Sequence, residues 1–180
     1  LSSEVEAAAE AFPEQPSKAE LKRRKDLRHL PFVTIDPATA KDFDDAIYVQ
    51  PLFDEERAQA RGWRLWVAIA DVAHFVTEGS LLDKEAMERS ATLYLPAQAF
   101  PMLPHRLSND LCSLKPKVDR LAMVAEIEVS FQGELERARF HEAIIHSQAR
   151  FTYDQAASLI GALPPQELPK HLSRMRPQVE

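Results

Sequence analysis

Four aspartates, Asp36, Asp42, Asp44 and Asp45, fall within ten residues, between two short apolar runs at 32–35 and 46–49. Packing like charges this closely costs free energy unless a cation lies among them. Hard divalent cations take oxygen ligands, and magnesium commonly uses one or two carboxylates with water and substrate phosphate. In an extended segment Asp42 and Asp44 share a face while Asp45 points the other way. One cluster could then serve two ions, or one ion and a supporting contact. The plain alternative is a set of solvated turn and capping aspartates, since these residues favour turns. A calcium loop of the EF-hand type fails on pattern. Counted from Asp36, position six is Lys41 rather than glycine, and position twelve is Ile47 rather than glutamate.

Other reactive residue types carry less. Asp71 and His74 could support a site from behind, although a lone histidine is more often structural. His141 and His146 are five apart in a strand-like run, which is poor geometry for sharing a metal, and they read as structural. Cys112 is the one cysteine; with no activating partner it reads as a small buried residue rather than a nucleophile. Ser108-Asn109-Asp110 has no nucleophile elbow to accompany it and reads as turn and capping chemistry.

The elements that must position these residues are set by periodicity and punctuation. Residues 1–16, rich in Glu and Ala and interrupted by Pro13 and Pro16, read as a linker or a marginal helix. Ser17 with Glu20 predicts a capped helix to about His29, ended by Pro31. Strands at 32–35 and 46–49 bracket the acidic loop. A polar connection over 54–62 leads to a strand from Trp63 to Ala70. Ser80 caps a helix through Arg89, with Leu82 and Ala86 on one face. Pro96, Pro101 and Pro104 exclude regular structure from much of 96–104. Leu121, Met123, Ala125, Ile127, Val129 and Phe131 alternate with Glu126, Glu128 and Ser130, which predicts a half-buried strand. Gln132-Gly133 turns it into a partner at about 135–146, an edge strand. Thr152 with Gln155 starts a last helix to about Ile160, and prolines 164, 165, 169 and 177 break up the remainder of the chain. The irregular order of strands and helices predicts an α+β fold, a mixed or antiparallel sheet with packed helices.

Composition sets the class. Of 180 residues, 45% are hydrophobic and 28% charged, enough apolar content for one core and too little charge for wholesale disorder. No apolar run reaches the roughly 18 residues of a membrane span, and a single cysteine fits a reducing cytoplasm. The start at Leu1, without an initiator Met or signal peptide, reads as an excised fragment. The net charge of −6 argues against a nucleic-acid-binding module. A local basic cluster of Lys18, Lys22, Arg23, Arg24, Lys25 and Arg28 softens that objection, as does any metal that neutralises the aspartates.

The string TIDPATAKDFDDAI resembles the signature loop of the ribonuclease II/ribonuclease R family. Five further blocks resemble family blocks in family order: RKDLRHLPFVTID, VAIADVAHFV, LDKEAMERSATLYLP, FPMLPHRLSNDLCSLKPKVDRLAM and SQARFTYDQA. The match covers about residues 22–160. The resemblance implies that residues 17–180 are the N-terminal portion of an RNB-type catalytic domain, with Asp36, Asp42 and Asp45 holding Mg2+, in one or two ions that Mn2+ could replace. It implies Asp44 as the carboxylate most critical for cleavage, and Tyr94 as a platform for the base at the 3′ end of the RNA. The implied activity is processive hydrolysis of single-stranded RNA from its 3′ end to nucleoside 5′-monophosphates. Partner cold-shock and S1 domains, and a later arginine at the reacting phosphate, are expected outside this chain, which alone should be inactive. Without the family context, Tyr94 would read as a core strand aromatic. Two other readings remain at this point: a catalytically incompetent RNA-binding or regulatory module of the same fold, and a metal-binding structural domain unconnected with RNA.

Overall fold

A computed structural model describes residues 1–54, 59–95 and 98–162. In chain order the elements are α1 (Ser3–Glu10), α2 (Lys18–Arg23), β1 (Lys25–Asp26), β2 (Val33–Asp36), β3 (Asp45–Phe53), β4 (Ala60–Ala70), α3 (Leu81–Arg89), β5 (Leu93–Leu95), β6 (Gln98–Phe100), β7 (Asp119–Ser130), β8 (Leu135–His146), β9 (Ala149–Thr152) and α4 (Tyr153–Leu159). Seven strands form one mixed sheet in the order β1-β8-β7-β4-β3-β2-β9, and β5 pairs with β6 in a separate ribbon. The α+β expectation holds.

Several boundaries differ from the expectations, each for a tertiary reason. Residues 1–16, read as a linker or a marginal helix, contain the helix α1, whose Val5 and Ala9 are buried in the main core and which packs on α3. The helix begun at Ser17 stops at Arg23, because Arg24 turns extended to reach an ion pair and Lys25–Asp26 pair in parallel with Ala143 and Ile144. That pairing gives β8 a second neighbour near its end, so β8 is not a simple edge strand. Gln98–Phe100 forms a strand inside the proline-punctuated stretch, and Ala149–Thr152 is a strand the sequence reading lacked. Gly133, at φ 83°, makes the β7–β8 turn, and Thr152 with Gln155 forms a full capping box at α4.

The two faces of the sheet are chemically unlike. One carries the main core: Ala46, Trp66, Ala68, Ala122 and Val124 join Phe32, Leu107, Leu114 and Leu82. Where that face passes Trp66 it turns charged, and Glu126 and Glu128 of β7 are buried there. Arg64 and Arg61 pair with Glu128, while Lys25 and His141 meet Glu126. Burial pushes the Glu126 carboxyl up, but hydrogen bonds from His141 and Lys25 win, and it stays below the usual range. The opposite face carries rows such as Val49–Leu65–Ile127–Ala138 and Ile47–Val67–Ala125–Phe140. So the alternation in β7 is real, but Glu126 and Glu128 point to the covered side and Met123, Ala125, Ile127 and Val129 to the open one, while Leu121 is buried in the main core.

The basic cluster near the N-terminus is largely consumed by ion pairs. Arg23 bonds Glu20 and Glu142, Lys25 bonds Glu126, and Arg28 bonds Asp26 and Asp119. Arg24 is buried and donates to Asp71 at 2.6 Å and to Glu20 at 2.6 Å. Its Nη1 is buried with no partner among the described residues. Asp71 is thereby assigned to a buried ion pair, and His74 lies 3.9 Å from Glu20. His141 and His146 bond Glu126 and Asp119, which makes both structural.

Removing one partner of a buried pair leaves an uncompensated charge in the core. Asp71→Asn is expected to cost about 3–5 kcal/mol, whereas breaking the more exposed Arg89–Glu85 pair with Glu85→Gln should cost about 1 kcal/mol or less. Urea unfolding midpoints of the two variants check the contrast.

Candidate functional site

The acidic loop runs from the end of β2 to the start of β3 and is held at its middle. Phe43 lies between Asp42 and Asp44 and packs on the main core. Its backbone N–H donates to Ser113 Oγ at 3.0 Å, and its carbonyl accepts from the Leu114 N–H at 2.8 Å. The fully buried Ser113 hydroxyl in turn donates to the Lys41 carbonyl at 3.0 Å. Arg150 braces the other limb: its guanidinium lies over the Phe43 ring at 5.4 Å and donates to the Pro37 carbonyl. The Asp44 carbonyl accepts from the Ala70 N–H at 2.9 Å, tying the loop to β4.

With Phe43 turned inward, Asp42 and Asp44 share the outer side, the alternation expected of an extended segment. Both line one cavity together with Ile69, Thr92, Tyr94 and Cys112. An adjoining cavity carries Lys41, Asp42, Tyr94, His105 and Asn109. Asp45 starts β3 opposite Ile69, on the other side of the sheet from Ala46. Asp36 ends β2 and is buried. Tyr94 stands on the β5–β6 ribbon, 70% exposed, so it is not a core aromatic.

The carboxylates feel one another. Desolvation raises Asp44, and Asp42, Asp45 and Asp36 add to the rise by repulsion. Desolvation is also the first cause raising Asp36; Asp45 and Asp42 reinforce it against Thr34 and Arg150. The Thr34 hydroxyl is near enough to ease the Asp36 charge without making a hydrogen bond of ordinary geometry. Asp36 Oδ2 and Thr34 Oγ1 are both buried without a partner among the described residues. A buried, partnerless carboxylate oxygen beside three more carboxylates is the donor chemistry of a hard divalent cation. Among the described residues no three His, Cys, Asp or Glu side chains close around one point.

Burial pushes the Cys112 thiol up to about 12, with Asp44 and Asp71 adding to it, so it is no nucleophile at neutral pH. Asp110 is braced by Lys115, Arg106 and Arg120, within a π-helical turn at Leu107–Leu111. Sequence reasoning missed Ser113 and Arg150. Ser113 meets Lys41 across 72 residues of chain and Arg150 meets Pro37 across 113, and no local pattern signals either contact.

A family model described as the RNB domain matches residues 24–176. Ribonuclease R of Escherichia coli K12 is 49% identical over 150 residues, 83% of this chain and 17% of that protein. Ribonuclease R of Vibrio parahaemolyticus is 48% identical over 147 residues, 82% of this chain and 17% of that protein. The solved structure of Mycoplasma genitalium RNase R in complex with ribose methylated single-stranded RNA aligns with a TM-score of 0.83 at 37% identity, covering 97% of this chain and 26% of that one. The chain thus spans about 17% of the length of these curated relatives.

Because the raised carboxyls are disfavoured as anions in the folded state, their charge costs stability above the ordinary carboxylate range. Asp44→Asn is therefore expected to raise the melting temperature of the chain in chelator at neutral pH and low salt. The gain should shrink at about 1 M salt, where the Debye length is about 3 Å. A variant that melts lower than the unmodified chain at low salt would contradict this electrostatic reading.

Proposed function

Since the chain belongs to the RNB domain family, we propose that it supplies the acidic, metal-holding part of a magnesium-dependent exoribonuclease. The parent protein would remove nucleoside 5′-monophosphates processively from the 3′ end of single-stranded RNA, in the cytoplasm. The single observation that carries this reading is the cavity shared by Asp42, Asp44 and Tyr94. It sets carboxylates beside an exposed aromatic ring, the two groups needed to hold a phosphodiester and its terminal base.

Asp36, Asp42 and Asp45 would hold the cation, and Asp44 would orient the attacking water. The cation, when bound, activates water at neutral pH and offsets charge on the leaving oxygen. Tyr94 offers a ring face to the terminal base, an interaction that ignores base identity and suits digestion of any sequence. The chain's own net charge of −6 does little to attract phosphates. Steering would fall to basic partner domains of the cold-shock and S1 type. The lone buried Cys112 suits a reducing compartment, and no helix among the described residues is long and apolar enough to cross a membrane.

In the parent protein, Asp44→Asn keeps the shape and removes one charge. RNA binding is expected to persist while mononucleotide release falls by about two orders of magnitude or more, and chelator should silence the unmodified enzyme until magnesium or manganese is restored. Binding and cleavage lost in parallel would instead indicate a folding defect.

Tyr94→Ala tests the other half of the cavity. Stacking contributes about 1–3 kcal/mol per base, so the variant should release its substrate several nucleotides early and leave a longer limit product. Its magnesium requirement should be unchanged. An unaltered limit product from a folded variant would remove Tyr94 from the substrate path.

A further inference from the structure

The cavity that adjoins the carboxylate cavity shares Asp42, Thr92, Tyr94 and Ser108 with it. Its remaining polar groups have the opposite chemistry. Lys41 is the one lysine or arginine among the described residues that line either cavity, and it is exposed. Its backbone is held in place, the N–H donating to Asp42 Oδ1 at 3.3 Å and the carbonyl accepting from Ser113 at 3.0 Å. Its ammonium has no ion pair or hydrogen bond among the described residues, unlike the arginines near the N-terminus.

His105 supplies a second donor. Its Nδ1 lies 3.0 Å from Asn109 Nδ2. An amide nitrogen only donates, so Nδ1 accepts and the ring proton sits on Nε2. The Ser108 hydroxyl, 3.1 Å from Asn109 Oδ1, holds the amide in that orientation. His105 is exposed, and its Nε2 has no partner among the described residues. An ammonium and an imidazole N–H, both free, suit an anionic group that only accepts hydrogen bonds, which in RNA is a phosphodiester.

The scissile phosphate is not that group. An ammonium among the aspartates would pair with them and compete with a cation, whereas the charges that Asp44 feels are Asp42, Asp45 and Asp36 and not Lys41. At an RNA 3′ end the terminal nucleotide closes in a hydroxyl, so no phosphate lies beyond the scissile one. The next phosphate is on the 5′ side.

We propose that Lys41 and His105 form a subsite for the phosphodiester immediately 5′ of the scissile one. This deepens the exoribonuclease reading and rests on it. A contact to the backbone carries no sequence information but fixes the register of the strand, so that each terminal linkage in turn comes to the carboxylates.

The test is a double-mutant cycle between protein and RNA, in the full-length parent with magnesium. Short single-stranded RNAs carry either a phosphodiester or an uncharged methylphosphonate at the proposed linkage. Both have 2′-deoxyribose on its 5′ side, which keeps the methylphosphonate stable. The RNA concentration giving half-maximal release of the first mononucleotide is measured. Methylphosphonate is expected to raise it about tenfold in the unmodified parent, the size of one hydrogen bond to a charged group. Lys41→Gln should raise it about as much on the ordinary RNA, but by less than about twofold on the methylphosphonate, where the contact is already lost. Lys41→Arg should keep the discrimination. With the methylphosphonate moved one linkage further 5′, Lys41→Gln should again cost about tenfold. His105→Ala should follow the same pattern at about threefold, as a neutral donor. Both side chains are exposed, so neither replacement disturbs the core. Losses that simply add, for Lys41→Gln or for His105→Ala, would overturn the subsite while leaving the exoribonuclease reading intact. A parent that releases no mononucleotide from either RNA would overturn that reading, and the subsite with it.

Discussion

Carboxylates held close together repel, and the four aspartates stay together only because the backbone between them is fastened elsewhere. The fastening is Phe43: its ring packs on the core, and its N–H and carbonyl are taken by Ser113 and Leu114. With that residue fixed, its two neighbours must project into the cavity, and their repulsion cannot be relieved by turning away. Burial first, and this repulsion added to it, raise the carboxyls of Asp36 and Asp44. Strain of this electrostatic kind is what makes a site receptive to a cation, because binding offsets a penalty the fold has already incurred.

Elsewhere the chain uses charge in the opposite sense. Arg24 with Asp71, and Arg64 and Lys25 with the buried Glu128 and Glu126, are matched pairs that lock β1, α2 and β7 to the strands beside them. Such pairs add less net stability than apolar packing would, but each is costly to break once formed. They also take up most of the basic cluster near the N-terminus. Its arginines face carboxylates of the same chain.

The sheet joins these two uses of charge. Its covered face passes from apolar core to paired charges, and its open face is apolar across four strands with α4 on one end. The chain that carries this sheet spans about 17% of the length of the curated relatives it matches.

Much of this organisation was legible in the residues. The acidic loop between two apolar runs, the hairpin at Gly133, the cap at Ser80 and the capping box at Thr152 are local chemistry, fixed by residue type and spacing. The pairing of Asp42 with Asp44 on one side follows from the period of an extended chain. What the sequence could not decide was which side of each element meets what. The alternation in β7 is equally clear whichever face is covered, and only the tertiary structure put Glu126 and Glu128 inward, because Arg64, Lys25 and His141 arrive from other strands to pair with them. Likewise Asp71 looks the same in sequence whether it supports a site or a core, until Arg24 is brought to it from the end of α2. Ser113 and Arg150 owe their roles to contacts across 72 and 113 residues of chain. Local pattern sets the elements; long-range pairing of charges and carbonyls sets their orientation, and no period in the sequence records it.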